Sequence, residues 1–366
     1  MQRSSRERGT GLPPDASRGV VWDWSIQGNT LSHSLHGSVN ADPEPREAWW
    51  HMNSVPQYRS PFNQWEERAA VRSMSMDFSE LERDAQGEWF HAEASGIANH
   101  PEVIARGRRQ DVLAALLLGY LDFTFHLEAR CIEPVGRDIS LHRLDAQYDA
   151  QMARDAIRVQ CDEAFHALMC AQLADHVKSR VELCRVPFPE HLYFRRVREL
   201  EASTRNSLSA EQYAFCVAVV SETVITDSLQ KDWQNLSLRP SVREVLLQHY
   251  KDEVRHSAYF SQALRIVWPQ WSEEVKRTMA PLWSELVLAF TRIDAELSRV
   301  ALRMAGFSEQ DAQRIQEETL RTLGPMADRG VSYKLTLRAF REAGVLGGQR
   351  EYEELAGALS PNALVP

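Results

Sequence analysis

Apolar residues recur every three or four positions along most of the chain after about residue 62, which is the spacing of one face of an α-helix. No stretch alternates apolar and polar residues between glycine or asparagine turns, so the pattern gives no indication of a β-sheet. The sequence therefore predicts an all-α protein. The predicted helices cover residues 65–84, 108–133, 144–180, 209–235, 241–268, 272–305, 308–323 and 326–343.

Helix start and stop signals agree with several of these boundaries. Two capping boxes, in which a serine and a residue three positions later satisfy each other's backbone N–H groups, are predicted at Ser209 with Gln212 and at Ser241 with Glu244. Further start signals are Ser272 and Ser308, and the stop signals are Pro134, Pro187, Pro269 and Gly324.

The first 45 residues differ from the rest of the chain in composition. They are rich in Ser, Gly, Pro and Arg, and we expect residues 1–45 to form a flexible N-terminal arm. Residues 46–366 are expected to form a single domain with a central core over 108–268 and flanking C-terminal helices over 272–343. The chain has 366 residues, 43% of them hydrophobic, and is long enough to bury a large core.

Charge and composition argue against several classes of partner. The net charge is −9 and the isoelectric point is near 5.8, which disfavours nucleic acid or an anionic membrane. The longest apolar run, LAALLLGYL, has about half the ~18 residues that a membrane-spanning helix needs, and no signal peptide opens the chain. Five cysteines without paired C-x-x-C spacing predict small buried side chains in a reducing compartment. We therefore expect a cytoplasmic protein.

Two acidic motifs with a histidine stand inside otherwise apolar helices. The segments CDEAFHALMC and KDEVRHSAYF share the order D-E-x-x-H. A glutamate and a histidine three positions apart can reach one point beside a helix, so Glu163 with His166, and Glu253 with His256, each offer two metal ligands. A buried carboxylate is costly unless something compensates its charge.

Two further glutamates lie on apolar helices elsewhere. Glu128 follows the run LAALLLGYLDFTFHL, although Asp122, or an ion pair of Glu128 with Arg130, is an alternative. Glu222 follows eight apolar or aromatic residues and one serine, with no basic residue before Lys231, so a salt bridge explains it poorly. One glutamate from each of two helices and Glu-x-x-His from two others is the recurring ligand set of di-iron carboxylate bundles. Two divalent ions would offset the four carboxylates.

The residues around the second motif extend this set. His249, Glu253 and His256 fall at positions i, i+4 and i+7 of one helical stripe, so their helix can offer three ligands. Rotation alone does not choose between Asp252 and Glu253, and the repeated spacing decides for Glu253. Asp162 and Asp252 are expected to accept the second ring N–H of a ligand histidine, each from the opposite motif.

With these residues the chain resembles the di-iron N-oxygenases related to p-aminobenzoate N-oxygenase, over roughly residues 60–270. The motif as it stands here consists of Glu128, Glu163, His166, Glu222, His249, Glu253 and His256. The resemblance implies an all-α, ferritin-like four-helix bundle core with additional flanking helices. It also implies that these four carboxylates and three histidines are the metal ligands. No catalytic residue is assigned beyond them.

The resemblance implies the chemistry of a non-haem di-iron monooxygenase of secondary metabolism. Two Fe(II) ions would reduce O₂ to a peroxo-diferric intermediate that oxidises the nitrogen of a small amine, such as an arylamine, to a hydroxylamine, nitroso or nitro group. A mixed Mn/Fe centre is compatible with the same ligands. No flavin or nicotinamide fingerprint is present, so electrons are expected from an external reductase or another external donor.

Two other classes of protein fit parts of the same pattern. A di-iron C–H hydroxylase or desaturase needs the six core ligands but not His249. A ferritin-like iron-storage or iron-sensing protein would use a similar site, although such chains are usually shorter and assemble into cages. Iron stoichiometry and the reaction of the loaded protein with O₂ and an amine distinguish these classes.

The substrate pocket is predicted one or two helical turns from the lone glutamates. Its candidate residues are Tyr120, Phe123, Thr124, Leu127, Ile132, Val219, Thr223 and Thr226. This wall is apolar with hydroxyl groups and has no arginine on the Glu128 face, which weakens the case for a free aminobenzoate unless a loop supplies the cation. The amine is expected to be either free or bound to a carrier protein.

The chain is also rich in tryptophan. The side chains at Trp49, Trp50, Trp65, Trp89, Trp268, Trp271 and Trp283 are interpreted as packing anchors of outer helices. The alternative is a homodimer surface or a docking site for a reductase.

Overall fold

In the middle of the chain, some helices have apolar residues on all of their faces. The helices that follow have apolar residues on one face only. The computed structural model describes residues 56–83, 86–91, 96–292, 294–323, 333–346 and 357. These residues belong to one compact unit, Val55–Pro366, and the predicted arm at 1–45 lies outside them. Within the described ranges the chain forms helices and no β-strand, apart from one isolated bridge between Glu88 and Leu238. The predicted all-α, ferritin-like class is confirmed.

The helices vary from single turns to more than eight turns. In chain order they are α1 (Trp65–Arg68), α2 (Ala70–Ser73), α3 (Pro101–Ala105), α4 (Arg109–Leu127), α5 (Glu133–Ser140), α6 (Ala150–Arg180), α7 (Leu192–Thr204), α8 (Ala210–Gln234), α9 (Pro240–Val267), α10 (Glu273–Met279), α11 (Leu282–Thr291), α12 (Ala295–Met304), α13 (Glu309–Leu323) and α14 (Lys334–Ala343). A π-helical segment, Glu128–Ile132, joins α4 to α5, and 3₁₀ turns lie at Ile97–Asn99 and Trp268–Gln270.

Four long helices form the centre of the fold. Helix α8 packs along α9, α4 packs along α6, and α6 also contacts α9. Most residues of α4 and α8 are buried, and the buried residues lie on all faces of each helix because the two helices are apolar around most of their circumference. Helices α7, α11, α12 and α14 pack against this centre from outside. The four central helices, together with the π-helical segment that follows α4, carry the unusual carboxylates and histidines.

The predicted helix stop at Pro134 is wrong, because the helix continues through it. The turn after α4 widens into the π-helical segment, in which the backbone N–H of Glu133 donates to the carbonyl of Glu128. Pro134 then falls in the first turn of α5, where a residue without an N–H is tolerated.

The continuation past the proline produces one long apolar helical stretch, Arg109–Ser140. By length and composition alone this stretch could cross a membrane, which the uninterrupted apolar runs of the sequence did not suggest. Inside the protein, 67% of the apolar window is buried, as is usual for the core helix of a folded domain.

Other predicted boundaries also differ. Residues 65–83 form two single turns and then an irregular stretch instead of the single helix predicted over 65–84, because the backbone at Ala69 is extended with ψ of 140°. Residues 272–305 form three helices, and α6 begins only after Asp149, whose side chain caps it. Helix α7 was not predicted.

The two predicted capping boxes have different outcomes. At the start of α8, Ser209 and Gln212 satisfy each other's backbone N–H groups as predicted. At the start of α9 the hydroxyl of Ser241 instead donates to Glu82 Oε1 over 2.5 Å, and Arg239 donates to Glu82 Oε2 over 2.6 Å. A carboxylate from a distant part of the chain therefore occupies the place of the local cap.

The cysteines and tryptophans lie in several environments. All five cysteines are free, as expected, but Cys161 and Cys184 are exposed instead of buried. Trp89, Trp268, Trp271 and Trp283 are buried in the core, Trp65 is half-buried, and Trp49 and Trp50 lie outside the described residues.

Candidate metal centre

The seven predicted ligand residues lie together between α4, α6, α8 and α9. Each is at most 2% exposed. Three overlapping groups have potential ligand atoms within 4.8 Å of one another: Glu163, His166, Glu253 and His256; Glu128, His166 and His249; and Glu128, Glu163 and Glu222. All seven residues belong to at least one group, and Glu128, Glu163 and His166 each belong to two.

The two D-E-x-x-H motifs face each other and their ligand atoms interleave. Within each motif the histidine Nδ1 lies close to its own glutamate, at 3.0 Å for His166 and Glu163 and 3.2 Å for His256 and Glu253. Across the motifs, Nδ1 of His256 lies 2.7 Å from Glu163, and Nδ1 of His166 lies 3.4 Å from Glu253. Both glutamates are therefore within reach of both histidines.

The other three residues complete the cluster unequally. Nε2 of His249 lies 3.5 Å from Glu128 and 3.3 Å from Glu253, and its ring centroid is 4.2 Å from that of His166. Glu222 lies on the side of His256, at 3.7 Å from Nδ1. One side of the cluster thus has two histidines and Glu128, whereas the other has one histidine and Glu222.

Glu128 is the first residue of the π-helical segment. π-helical turns are rare and occur frequently at functional sites, where the extra residue in the turn alters the direction of the side chains. The only sequence signal for this turn was Pro134, six positions after Glu128, which the periodicity argument took as the end of the helix.

The two aspartates pair with the histidines of the opposite motifs, which is the pairing predicted from the sequence. Nε2 of His166 lies 3.1 Å from Asp252 Oδ2, and Nε2 of His256 lies 3.1 Å from Asp162 Oδ2. Because each Nε2 faces an aspartate, each Nδ1 is left to face the glutamates. This arrangement fixes the ring orientation that a metal-bound histidine requires.

Residues 65–70 contact both aspartates, which the sequence did not indicate. The indole N–H of Trp65 donates to the two carboxylate oxygens of Asp162, at 2.8 and 2.9 Å. The backbone N–H of Ala70 donates to Asp252 over 3.1 Å, and the guanidinium of Arg255 also donates to Asp252. The extended backbone at Ala69 lets α1 serve one aspartate and α2 the other.

The carboxylates of the cluster are electrostatically strained without additional positive charge. Burial raises the pKa of Glu128 to about 8, and the Glu163 carboxylate contributes to the rise. Burial, together with the charges of Glu253 and Glu163, also raises the pKa of Glu222 well above its usual range. Burial opposes ionisation of Glu163 as well, but His256 and His166 outweigh it and lower the Glu163 pKa to about 2. Ionisation of all four glutamates at once would be favoured by additional positive charge among them, such as that of a metal ion.

Several polar atoms of the cluster also have no partner in hydrogen-bonding geometry within the described part of the chain. They are Glu128 Oε2, Glu163 Oε1, Glu222 Oε2, Glu253 Oε2 and His249 Nε2. Buried polar atoms in folded proteins are nearly always paired, so a convergent set of unpaired ones indicates a missing partner. Carboxylate and imidazole donors suit iron and manganese, and the residues present fit a two-metal site.

A cavity of about 250 Å³ lies beside α4, which leads into Glu128, and α8, which carries Glu222. Tyr120 and Phe123 of the predicted pocket line it, together with residues of α7, α11 and α12. Sequence reasoning missed His191, Tyr193 and Arg292, because α7 was not predicted and the loop after α11 carries no motif.

The other predicted pocket residues do not line this cavity; they are Thr124, Leu127, Ile132, Val219, Thr223 and Thr226. All six are buried. The hydroxyl of Thr223 donates to the carbonyl of Val219, and that of Thr226 donates to the carbonyl of Glu222 over 2.7 Å. These two hydroxyls satisfy the backbone of α8 and are not available to a molecule in the cavity.

The rival interpretations of Glu128 do not match its contacts. Asp122 Oδ2 lies 2.9 Å from Nε2 of His191, away from the cluster, and the guanidinium of Arg130 lies over the ring of Phe194. Glu128, by contrast, faces His249.

Comparison with known proteins agrees with this geometry. No curated protein matches the chain. Residues 59–323 match the family described as P-aminobenzoate N-oxygenase AurF, a range that includes all seven residues of the cluster and both aspartates. The chain belongs to the p-aminobenzoate N-oxygenase AurF family.

Proposed function

We propose that the seven clustered side chains bind two iron ions and that the protein is an O₂-dependent N-oxygenase of a small amine. The observation that carries the proposal is the buried cluster of four glutamates and three histidines with unpaired ligand atoms. Membership in an N-oxygenase family supplies the reaction class.

Each group of residues has a distinct task in this proposal. Glu163 and Glu253, which lie between the two histidines of the motifs, would hold the ions together with those histidines, Glu128, His249 and Glu222. Iron bound there would reduce O₂, and an external donor would provide the electrons. The protein around it keeps water from the reacting atoms, because every ligand is buried.

The cavity is the proposed binding site of the amine. Phe123 precedes Glu128 by five residues on the same helical stretch, which corresponds to about 8 Å along the axis. Phe123 packs edge-on against Tyr193 and Phe290, with ring centroids 5.8 Å apart in each pair. An aromatic wall of this kind fits the flat ring of an arylamine.

The loop after α11 supplies the cation that is absent from the Glu128 face. Arg292 lines the cavity, and its guanidinium has no carboxylate partner among the described residues. In this proposal Arg292 binds a substrate carboxylate, such as that of an aminobenzoate. We expect Arg292→Ala to raise the KM for p-aminobenzoate by roughly 10-fold or more, because a hydrogen bond to a charged group is lost. The KM for aniline should not change, because aniline has no carboxylate. An equal effect on both amines would remove Arg292 from substrate recognition.

The proposal is tested by anaerobic Fe(II) loading followed by mixing with O₂ and p-aminobenzoate or aniline. We expect two irons per chain and an N-oxidised product identified by mass spectrometry. One iron or none would overturn the di-iron site. Two irons with O₂ consumption but no nitrogen oxidation would point to a C–H hydroxylase, a desaturase or an iron-storage protein. O₂ consumption that stayed at the wild-type rate in His249→Ala, again without nitrogen oxidation, would favour a hydroxylase.

A further inference from the structure

We propose that Trp65 is the residue through which electrons enter the metal centre, by way of Asp162 and His256. The inference rests on the proposed di-iron function and extends it to the route of reduction. The buried site needs such a route, because all of its ligands are shielded from a protein donor at the surface.

A continuous chain of polar contacts leads from the protein surface to the cluster. The half-buried indole of Trp65 donates through its N–H to Asp162, at 2.8 and 2.9 Å. Asp162 Oδ2 lies 3.1 Å from Nε2 of His256, and Nδ1 of the same ring lies 2.7 Å from Glu163. Only one carboxylate and one imidazole thus separate the indole from the proposed metal position.

The equivalent position in the other motif offers no such route. Asp252 contacts His166 in the same way, but its further partners are the backbone N–H of Ala70 and the guanidinium of Arg255. Neither group has a π-system that exchanges electrons readily. The two aspartates have the same relation to the cluster, so the indole on Asp162 is a feature that distinguishes one motif from the other.

The route also uses helices other than those of the cavity. Trp65 belongs to α1, and the adjoining α2 packs against α6 and α9. The cavity is lined by α4, α7, α8, α11 and α12. A donor bound over Trp65 would therefore leave the proposed substrate cavity free.

The electron balance of the step is simple. A one-electron donor, such as a reduced iron–sulfur or flavin protein, loses one electron, and one ferric ion gains it and becomes ferrous. Trp65 couples the two sites and is unchanged at the end. Two such transfers restore a diferric centre to the diferrous form.

The test compares Trp65→Phe with Trp233→Phe as a matched control. Trp233 is also only partly buried, but its indole N–H has no hydrogen-bond partner among the described residues. Each purified variant is loaded with iron, its iron content and midpoint potential are measured, and its diferric form is mixed with reduced methyl viologen. The iron content reports on the proposed function, whereas the reduction rate reports on the route.

We expect Trp65→Phe to retain two irons and an unchanged midpoint potential but to be reduced on the order of tenfold more slowly, about 1.4 kcal/mol in activation free energy. Trp233→Phe should behave like the wild type. An unchanged reduction rate in Trp65→Phe would overturn the proposal, as would a shifted potential or a loss of iron, because either would make Trp65 a positioning residue for Asp162.

A second variant separates these roles if Trp65→Phe does not fold. Trp65→His keeps an N–H donor for Asp162 but removes the indole. The electron route predicts slow reduction in this variant too. Wild-type reduction in Trp65→His would show that only the hydrogen bond matters and would overturn the route.

Discussion

The two D-E-x-x-H motifs have the same sequence order and the same crossed contacts, yet their surroundings differ. On α6, Asp162 is held by the indole of Trp65, and no further histidine joins the motif. On α9, Asp252 is held by a backbone N–H and by Arg255, and the same helix adds His249. The repeat thus determines the position of the ligands, whereas the elements packed outside determine how each half is held.

The largest effect is expected when a glutamate that contacts the histidines of both motifs is removed. Glu163→Ala and Glu253→Ala should each lose both irons, because each glutamate lies within 3.5 Å of both Nδ1 atoms of the motif histidines. The measurement is iron content after anaerobic loading, with circular dichroism to verify folding. Glu274→Ala, at an exposed position of α10, is the control. Retention of two irons by either variant would show that its glutamate does not lie between the two ions.

Substitution of the two aspartates should affect the α6 motif and the α9 motif differently. Asp162→Asn and Asp252→Asn should each weaken iron binding by roughly 10- to 100-fold, as is usual for carboxylates that orient metal-bound histidines. Asp252→Asn should also lower the melting temperature more, because Arg255 then loses the carboxylate that it contacts. Iron titration and thermal melting of the metal-free variants measure the two effects. Equal melting temperatures would mean that Arg255 contributes nothing to the stability of the α9 half.

The sequence predicted which side chains cluster better than it predicted the residues that support them, and the reason is physical. Glu163 and His166 lie on one helix, so the helical repeat fixes their relation before any tertiary structure is known. The contact of Trp65 with Asp162 joins residues 97 positions apart and depends on the extended backbone at Ala69. Nothing in the local sequence marks that break, and a helix over 65–84 was predicted in its place.

The dependence on tertiary packing also explains why only part of the cavity lining was predicted. Tyr120 and Phe123 were found because they share a helix with Glu128. Arg292 comes from a loop, and the position of a loop is decided by packing and not by periodicity. The π-helical turn at Glu128, just before Pro134, is likewise a change in helix type that a pattern of apolar residues does not report.

The two motif helices also begin differently, and acid exposes this difference. Burial opposes ionisation of Glu82 at the start of α9, but hydrogen bonds from Arg239 and Ser241 outweigh it and lower the pKa of Glu82. A lowered pKa means that the stabilisation is complete above the unfolded-state value near 4.5 and is lost as the pH falls through the folded-state value. Glu82→Gln should cost about 3 kcal/mol at neutral pH, the usual effect of breaking a buried ion pair.

The check on Glu82 is urea unfolding of the wild type and Glu82→Gln between pH 7 and pH 3. The difference in the free energy of unfolding should be constant near neutrality and shrink below about pH 4.5, because protonated Glu82 no longer attracts Arg239. A difference that does not change with pH would mean that Glu82 acts through packing and not through its charge.

The smallest effect is expected at the start of the other motif helix. Asp149 caps α6 by accepting the backbone N–H of Met152 over 2.8 Å, a local contact between residues three positions apart. Asp149→Ala should cost about 1 kcal/mol of unfolding free energy, as for other N-cap aspartates, and Asp149→Asn should restore most of it. Iron content should not change, since the cap lies fourteen residues before Glu163 on a helix held along its length by α4 and α5. If Asp149→Ala lowered the free energy of unfolding as much as Glu82→Gln does, the two motif helices would depend equally on their first turns. The distant carboxylate of Glu82 would then only replace a local cap.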